Sequence, residues 1–491
     1  MLQVHDVAQY RMLVGGQLRE ARGGASIDAY NPATGQLFAR FPRGDAGDVD
    51  DAVAAALAAF RGWWATPPLE RAACLQRLAA LIEEHAHELA MLDVTDNGSP
   101  IREMRRDASI AAGQLRYLAG LALEQRGETI PVAHGRLNYT LRHPFGVVGR
   151  IIPFNHPLMF FAAKLAAPLI AGNTIVIKPS EHTSVSALRL GELARDIFPP
   201  GVVNIVTGLG SEAGDALVTH PDVRRLAFIG SAAIGRSIQA RAATHVVKTV
   251  TLELGGKNPI VVFPDADLGR AVDGALRGMN FTWQGQSCGS TSRLLVHQSV
   301  RDRLVGQLAE RMSAMRAGPP DEETTDTGSI VHRRQYEKVL GYLDVAREEG
   351  LRLVTGGGPP EGPDFSAGLF IRPTLYDDVP ADSRLLREEI FGPVLVVLPF
   401  SDYDEAIRIS NDVAFGLTAS VFTRDLATAH AYARDVEAGY VWVNDVSTHF
   451  PGTPYGGVKD SGLGREESLD EILSYTQTKN VNILFDLPGP S

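Results

Sequence analysis

Between residues 145 and 265, short β-rich runs alternate with stretches of helical pattern, and that alternation restricts the chain to few folds. The runs are GVVGRIIPF (146–154), NTIVIKPS (173–180), GVVNIVTG (201–208), RRLAFIG (224–230) and KTVTLEL (248–254), with helical candidates at 157–171, 183–197, 211–219 and 233–243. Strands that are apolar almost throughout must be covered on both faces. Strands separated by helices pair in parallel. The expected class is therefore α/β, with ligands at the carboxyl ends of the strands. A second α/β block is expected from about 255 to 445, with helices at 265–283, 299–315 and 333–349 and strands near 291–296, 393–399 and 440–444.

Two further helices are expected ahead of the first run, at 47–64 and 70–95. In the second, Cys74, Leu78, Leu81 and Ile82 form one apolar stripe, which reads Cys74 as core filler. The segments 126–144 and 475–487 look like extended arms. An isolated hairpin needs a partner surface, so the chain is expected to form a homo-oligomer.

Charge and cysteine content remove several functions. A net charge of −11 and a pI near 5.7 argue against nucleic acid as the main partner. Two cysteines in 491 residues are too few for a disulfide framework and fit a reducing compartment. The first residues lack the basic and apolar regions of a signal peptide. The most apolar stretch, Leu158 to Gly172, is under 18 residues and carries Lys164 and Pro168, so it reads as a buried helix rather than a membrane span. The expected location is cytoplasmic. No metal site is expected.

Chemistry-bearing residues cluster near the ends of these runs. Cys288, in "TWQGQSCGSTSRLLV" (282–296), lies in a small, polar turn before an apolar strand, unlike a thiol that fills a core. It is a nucleophile candidate or a structural cysteine. Glu253, between two leucines and before Gly255-Gly256, is a general-base candidate or an exposed strand-end charge. Asn155, between Pro153 and Pro157, is an oxyanion donor or a turn residue satisfying its own backbone. Lys178 and Glu181 suit ribose hydroxyls or form a surface salt pair. Gly230, Ser231 and Gly235 open a helix where backbone N–H groups can meet a pyrophosphate.

Taken in order, PFNHP (153–157), KPSE (178–181), PPGVVNIVTG (199–208), FIGS…G (228–235), LELGGKNP (252–259), GQSC (285–288), EEIFGP (388–393) and PYGGVKDSGLGRE (454–466) resemble the aldehyde dehydrogenase superfamily over roughly residues 12 to 480. The resemblance implies a Rossmann-like NAD-binding domain (1–125 and 145–254), an α/β catalytic domain (255–445), a small β oligomerisation arm (126–144 and 470–491) and a substrate-site loop (446–469). It implies Cys288 as nucleophile, Asn155 as oxyanion donor and Glu253 as the base that activates water. Implied cofactor contacts are Lys178 and Glu181 at the adenosine ribose, Glu389 at the nicotinamide ribose, Phe391 beside the nicotinamide, Gly230 and Ser231 at the pyrophosphate, and Gln335 as a further ribose contact. Ile152, Phe154, Ser180, Gly210, Ile234 and Leu254 complete the cleft. A carboxylate at Glu181 should repel a 2′-phosphate, so NAD is expected over NADP.

The chain departs from the family pattern at Phe154, often Trp; at Ile229, often Thr; and at Trp283 and Ser287, where NQGQCC is common. By register with the family, His156, Met159, Phe160, Thr282, Ser447, His449 and Tyr455 line the substrate tunnel. Met, Phe and Tyr suit an aromatic or medium-sized apolar aldehyde, and the two histidines add polar handles that a hydroxyl could use. The implied reaction is oxidation to the acid through a thiohemiacetal and a thioester, in a homodimer or homotetramer. The alternatives are a semialdehyde dehydrogenase, a coenzyme A-acylating one, and a non-catalytic member of the same fold.

Overall fold

In a computed structural model, residues 7–362 and 365–485 are described. Residues 486–491 of the expected arm, and 1–6 of the first expected domain, lie outside them. The five apolar runs form the parallel core of an eight-stranded sheet: Val147–Ile151, Thr174–Lys178, Val203–Ile205, Val223–Ile229 and Thr249–Glu253. Numbered along the chain, these five lie in the spatial order 5-4-1-2-3 and pair in parallel throughout. Both faces are covered: Ile175 and Ile177 join one apolar cluster with Leu78, Leu115 and Phe161, whereas Val176 joins another with Val49, Val53 and Leu217. That two-sided burial explains why the runs lack a period of two.

Strand order reverses between Val147–Ile151 and Val223–Ile229, so the crevice at their carboxyl ends is a topological switch point. Register pairs Ile151 with both Phe228 and Lys178, and Ile229 with Glu253. One row along the carboxyl edge thus carries Lys178, Ile151, Phe228 and Leu252, with Glu253 one residue beyond it opposite Ile229. Antiparallel strands finish both edges. Met12–Val14 and Gln17–Arg19 lie at one edge and Gly462–Leu463 at the other, so the segment after residue 446 returns to this sheet.

The second block is a seven-stranded sheet, parallel except for Arg352–Thr355 at one edge. Arg293–His297 is its central strand, and Cys288 lies in the turn before it. The arm is also present. Arg136–Pro144 pairs antiparallel with Thr476–Leu484 over nine residues, from Thr476 opposite Pro144 to Leu484 opposite Arg136. It leaves Ile130, Leu141 and Leu484 exposed.

Three expected helices differ. The segment 70–95 is two helices, Pro68–Glu84 and Ala86–Asn97, broken at His85. The break lets Leu78 and Ile82 face the core beside the sheet while Ala90 and Val94 pack with Ile101, Met104 and Trp283. The segment 265–283 stops at Gly278, and a short 3-10 turn, Phe281–Trp283, follows between left-handed Asn280 and Gln284. The segment 211–219 begins as a π-turn, Gly210–Gly214, before a short helix, Asp215–Thr219. Cys74 is buried among apolar side chains, as core filler should be. The apolar stretch from Leu158 is the buried helix Pro157–Ile170. Among the described residues no helix is long and apolar enough to cross a membrane.

Candidate active site

The nucleophile turn is held from behind. The Asn258 side chain donates to the carbonyl oxygens of Cys288 at 2.7 Å and Ser290 at 3.0 Å, while its own oxygen accepts from the Thr418 N–H. Gly285 has φ +68°, and a Cβ there would collide with the Gly392 backbone, so only glycine lets this turn sit against the EEIFGP loop. Gln286 accepts from the Val331 N–H and donates to Gln284, which in turn accepts from Ser99. The small residues around Cys288 therefore serve a close-packed, bonded turn.

Cys288 opens onto a cavity of about 910 Å3. All seven residues expected at the substrate tunnel line it: His156, Met159, Phe160, Thr282, Ser447, His449 and Tyr455. Glu253 and Cys288 line it with them. The Tyr455 hydroxyl lies 3.9 Å from the Cys288 sulfur. Burial pushes the Cys288 thiol up to about 12, against hydrogen bonds from Tyr455 and the Gly289 N–H. At that value the sulfur holds its proton at neutral pH, so its attack needs a proton acceptor.

Glu253 is not an exposed strand-end charge. It is 6% exposed, and neither carboxyl oxygen has a hydrogen-bond partner. Burial first, and the like charge of Glu466 second, raise its carboxyl well above the ordinary range. Glu466 is itself ionised by Arg150 at 2.6 Å and Lys164 at 2.8 Å. This is the partner that lets Lys164 sit inside an apolar helix. Asn155 does not line the cavity. It is buried one residue before His156, and its side-chain oxygen accepts no hydrogen bond, so it is not a turn residue satisfying its own backbone. Asn97 fixes its loop by donating to the Phe154 carbonyl at 2.7 Å.

The expected cofactor residues gather along the carboxyl edge of the first sheet. Lys178 is 2% exposed, which rules out a surface salt pair; its ammonium donates to the Pro179 carbonyl at 2.8 Å and to Glu181 at 3.4 Å. Glu181 also accepts from the Gly210 N–H at 3.3 Å. Ser180 accepts from the His182 N–H, and the Ile152 N–H donates to the Lys178 carbonyl. Gly230 donates to the Glu253 carbonyl, and Ser231 caps the helix Ala232–Ala242 by accepting from the Ile234 N–H. Ile234 is exposed at this helix start, and Gly235 lies where a Cβ would strike buried Leu254.

From the second sheet, the Glu389 carboxyl accepts from the Gly256 N–H at 3.0 Å, and burial raises it. Phe391 is strained at φ +57°, and its ring meets Phe154 edge-on at 5.6 Å. Gln335 lies behind this loop: its amide donates to the carbonyls of Ile390 and Phe391. The cleft thus offers a buried cation, two carboxyls suited to ribose hydroxyls and the N-terminus of the helix Ala232–Ala242, groups that fit a dinucleotide.

Reading the sequence alone missed Asn258, the supporting Asn97, and most of the outer cavity wall. Glu103, Arg106 and Asp107 come from the helix Ile101–Gly120, and Trp442, Arg277 and Arg311 from the second block. No Arg stands among the seven expected positions, yet three line the cavity. Arg277 is paired with Asp445 and Arg311 with Asp273, while Arg106 is only 4.0 Å from Glu103.

Residues 19–481 match the family model described as the aldehyde dehydrogenase family. The chain is 47% identical over 463 residues to aldehyde dehydrogenase tropH of Talaromyces stipitatus, covering 93% of this chain and 90% of that protein. It is 42% identical over 481 residues to hydroxyisobutyraldehyde dehydrogenase of Mycolicibacterium austroafricanum, covering 98% and 94%. Among solved structures, the NAD+ complex of an aldehyde dehydrogenase from Bacillus cereus superposes with a TM-score of 0.94 at 40% identity, covering 97% of this chain and 96% of that one. The ordered motifs, the two sheets with their arm, and these full-length matches lead to one assignment: the chain belongs to the aldehyde dehydrogenase family.

Proposed function

We propose that this enzyme uses NAD to oxidise an aromatic or medium-sized apolar aldehyde to its carboxylic acid. The observation that carries the reading is a single cavity holding both Cys288 and a carboxyl, Glu253, with no hydrogen-bond partner. The Cys288 sulfur attacks the aldehyde carbon, and its proton passes to a base. The Cys288 backbone N–H meets the oxyanion, and Asn155, whose loop Asn97 holds, is the side-chain donor assigned to it. Bound NAD supplies a hydride acceptor. Lys178 and Glu181 hold the adenosine ribose, Glu389 the nicotinamide ribose, and Ser231 the pyrophosphate. Phe391 and Phe154 close the nicotinamide side. Glu253, its basicity raised by burial, removes a proton from the water that hydrolyses the Cys288 acyl thioester. A base for water fits hydrolytic release rather than transfer to coenzyme A.

Met159, Phe160, Trp283 and Trp442 on the cavity wall favour an apolar body on the substrate. A semialdehyde is the second reading, because Arg106 on the cavity wall has a looser carboxylate pair, Glu103 at 4.0 Å, than Arg277 or Arg311. We also assign residues 1–125 and 145–254 to cofactor binding, 255–445 to catalysis and 446–469 to the substrate loop. The exposed apolar residues of the arm support a homo-oligomer, and the two free cysteines support a cytoplasmic setting. NADH absorbance on mixing enzyme and NAD with a panel of benzaldehyde, aliphatic aldehydes and semialdehydes tests the reading. A semialdehyde preferred over benzaldehyde by a large factor would overturn the substrate assignment.

A further inference from the structure

His156 stands on the cavity wall in a position fixed from three sides. Its Nδ1 lies 2.7 Å from Oδ2 of Asp107, a carboxyl that is 1% exposed. Its ring meets Phe160 edge-on at 5.4 Å and is tilted against Trp283 at 5.4 Å. A carboxylate only accepts, so the Asp107 contact places the ring hydrogen on Nδ1. With a ring hydrogen placed on Nδ1, Nε2 is the nitrogen left to accept, and among the described residues no hydrogen bond to it is found. The result is one oriented acceptor, set among Phe160, Met159 and Trp283 in the cavity that Cys288 enters.

We propose that His156, oriented by Asp107, is a specificity residue that accepts a hydrogen bond from a hydroxyl group on the aldehyde substrate. This rests on the aldehyde-oxidising reading above and adds the chemical class of substrate. A neutral hydroxyl is the group that fits. It donates to Nε2, and its carbon skeleton packs on the aromatic neighbours without burying a charge. An unsubstituted aldehyde leaves this acceptor unmatched inside an apolar wall, a cost that binding sites turn into discrimination. Asp107 is a positioning residue: it fixes which ring nitrogen faces the cavity.

The test uses matched pairs on the whole enzyme with NAD: benzaldehyde against 3- and 4-hydroxybenzaldehyde, and propanal against 3-hydroxypropanal. The wild type is expected to favour the hydroxylated member of at least one pair by about tenfold in kcat/KM, the size of one net hydrogen bond. His156→Phe should erase that ratio, His156→Gln should restore part of it through its amide oxygen, and Asp107→Leu should lower it. General damage to the fold would lower both members of a pair together and leave the ratio intact. Should a variant fail to fold, inhibition of the wild type by hydroxybenzoates and benzoate reads the same preference. No preference for any hydroxylated member, or a preference that survives in His156→Phe, overturns the proposal. Oxidation of the aliphatic pair alone would overturn the aromatic reading while leaving the hydroxyl contact standing.

Discussion

The Asn258 side chain donates to the Cys288 carbonyl at 2.7 Å, and so ties the loop that links the first sheet to the second, between Glu253 and Pro259, to the turn that presents the thiol. Asn258→Ala leaves the Cys288 and Ser290 carbonyls without this donor. Losing such bonds costs about 1–3 kcal/mol. A lowered melting temperature is expected, with kcat falling more than KM rises, as steady-state kinetics would show.

Glu253→Gln keeps the shape of the side chain and removes the carboxylate proposed as the base. A burst of NADH close to one per active site is expected, followed by little turnover, in stopped-flow absorbance. Because the carboxyl is raised, its base form appears only as pH climbs through that raised value. Wild-type turnover should therefore rise with pH above the ordinary carboxyl range, and a thioester slowly hydrolysed at every pH should mark the variant.

Glu466 neutralises buried Arg150 and Lys164. Glu466→Gln leaves both cations with only Glu471, 4.0 Å from each, and breaking a buried pair in this way costs about 3–5 kcal/mol. The folded carboxyl is held below its ordinary value of 4.5 by these cations, so its stabilisation is complete above that value and is lost as pH falls below it. Thermal melts between neutral pH and pH 3 should show the wild type losing stability on acidification, with a smaller loss in the variant.

Glu181 is the residue expected to discriminate between NAD and NADP. Its carboxylate, beside Lys178 and the Gly210 N–H, should give kcat/KM at least tenfold higher with NAD than with NADP. Glu181→Ser should narrow that ratio, as initial rates with each cofactor would reveal.

The sequence made the first sheet legible because its strands are buried on both faces and separated by clear helices. The strands Pro259–Val262, Thr374–Asp377 and Thr418–Phe422 of the second sheet escaped notice, although Val203–Ile205 is shorter and was read; Pro259–Val262, for one, follows Glu253 with no helix between to mark it off. The break at His85 also escaped notice, because no Gly or Pro marks it; it shows only in the change of buried face. At the site, the ordered motifs pointed to Cys288, Glu253 and the cleft carboxyls Glu181 and Glu389. Asp107, by contrast, lies 49 residues before His156 in a helix whose charged residues look like a solvated face. Only the packing of that helix against Pro157–Ile170 brings the carboxyl under the histidine.

The central claim is that Cys288, and not Cys74, carries the reaction. NADH formation by Cys288→Ala and Cys74→Ala, measured with NAD and an aldehyde that the wild type oxidises, tests it directly. The account predicts no NADH from Cys288→Ala, not even a burst, and substantial activity from Cys74→Ala; NADH from Cys288→Ala at the wild-type rate would contradict it.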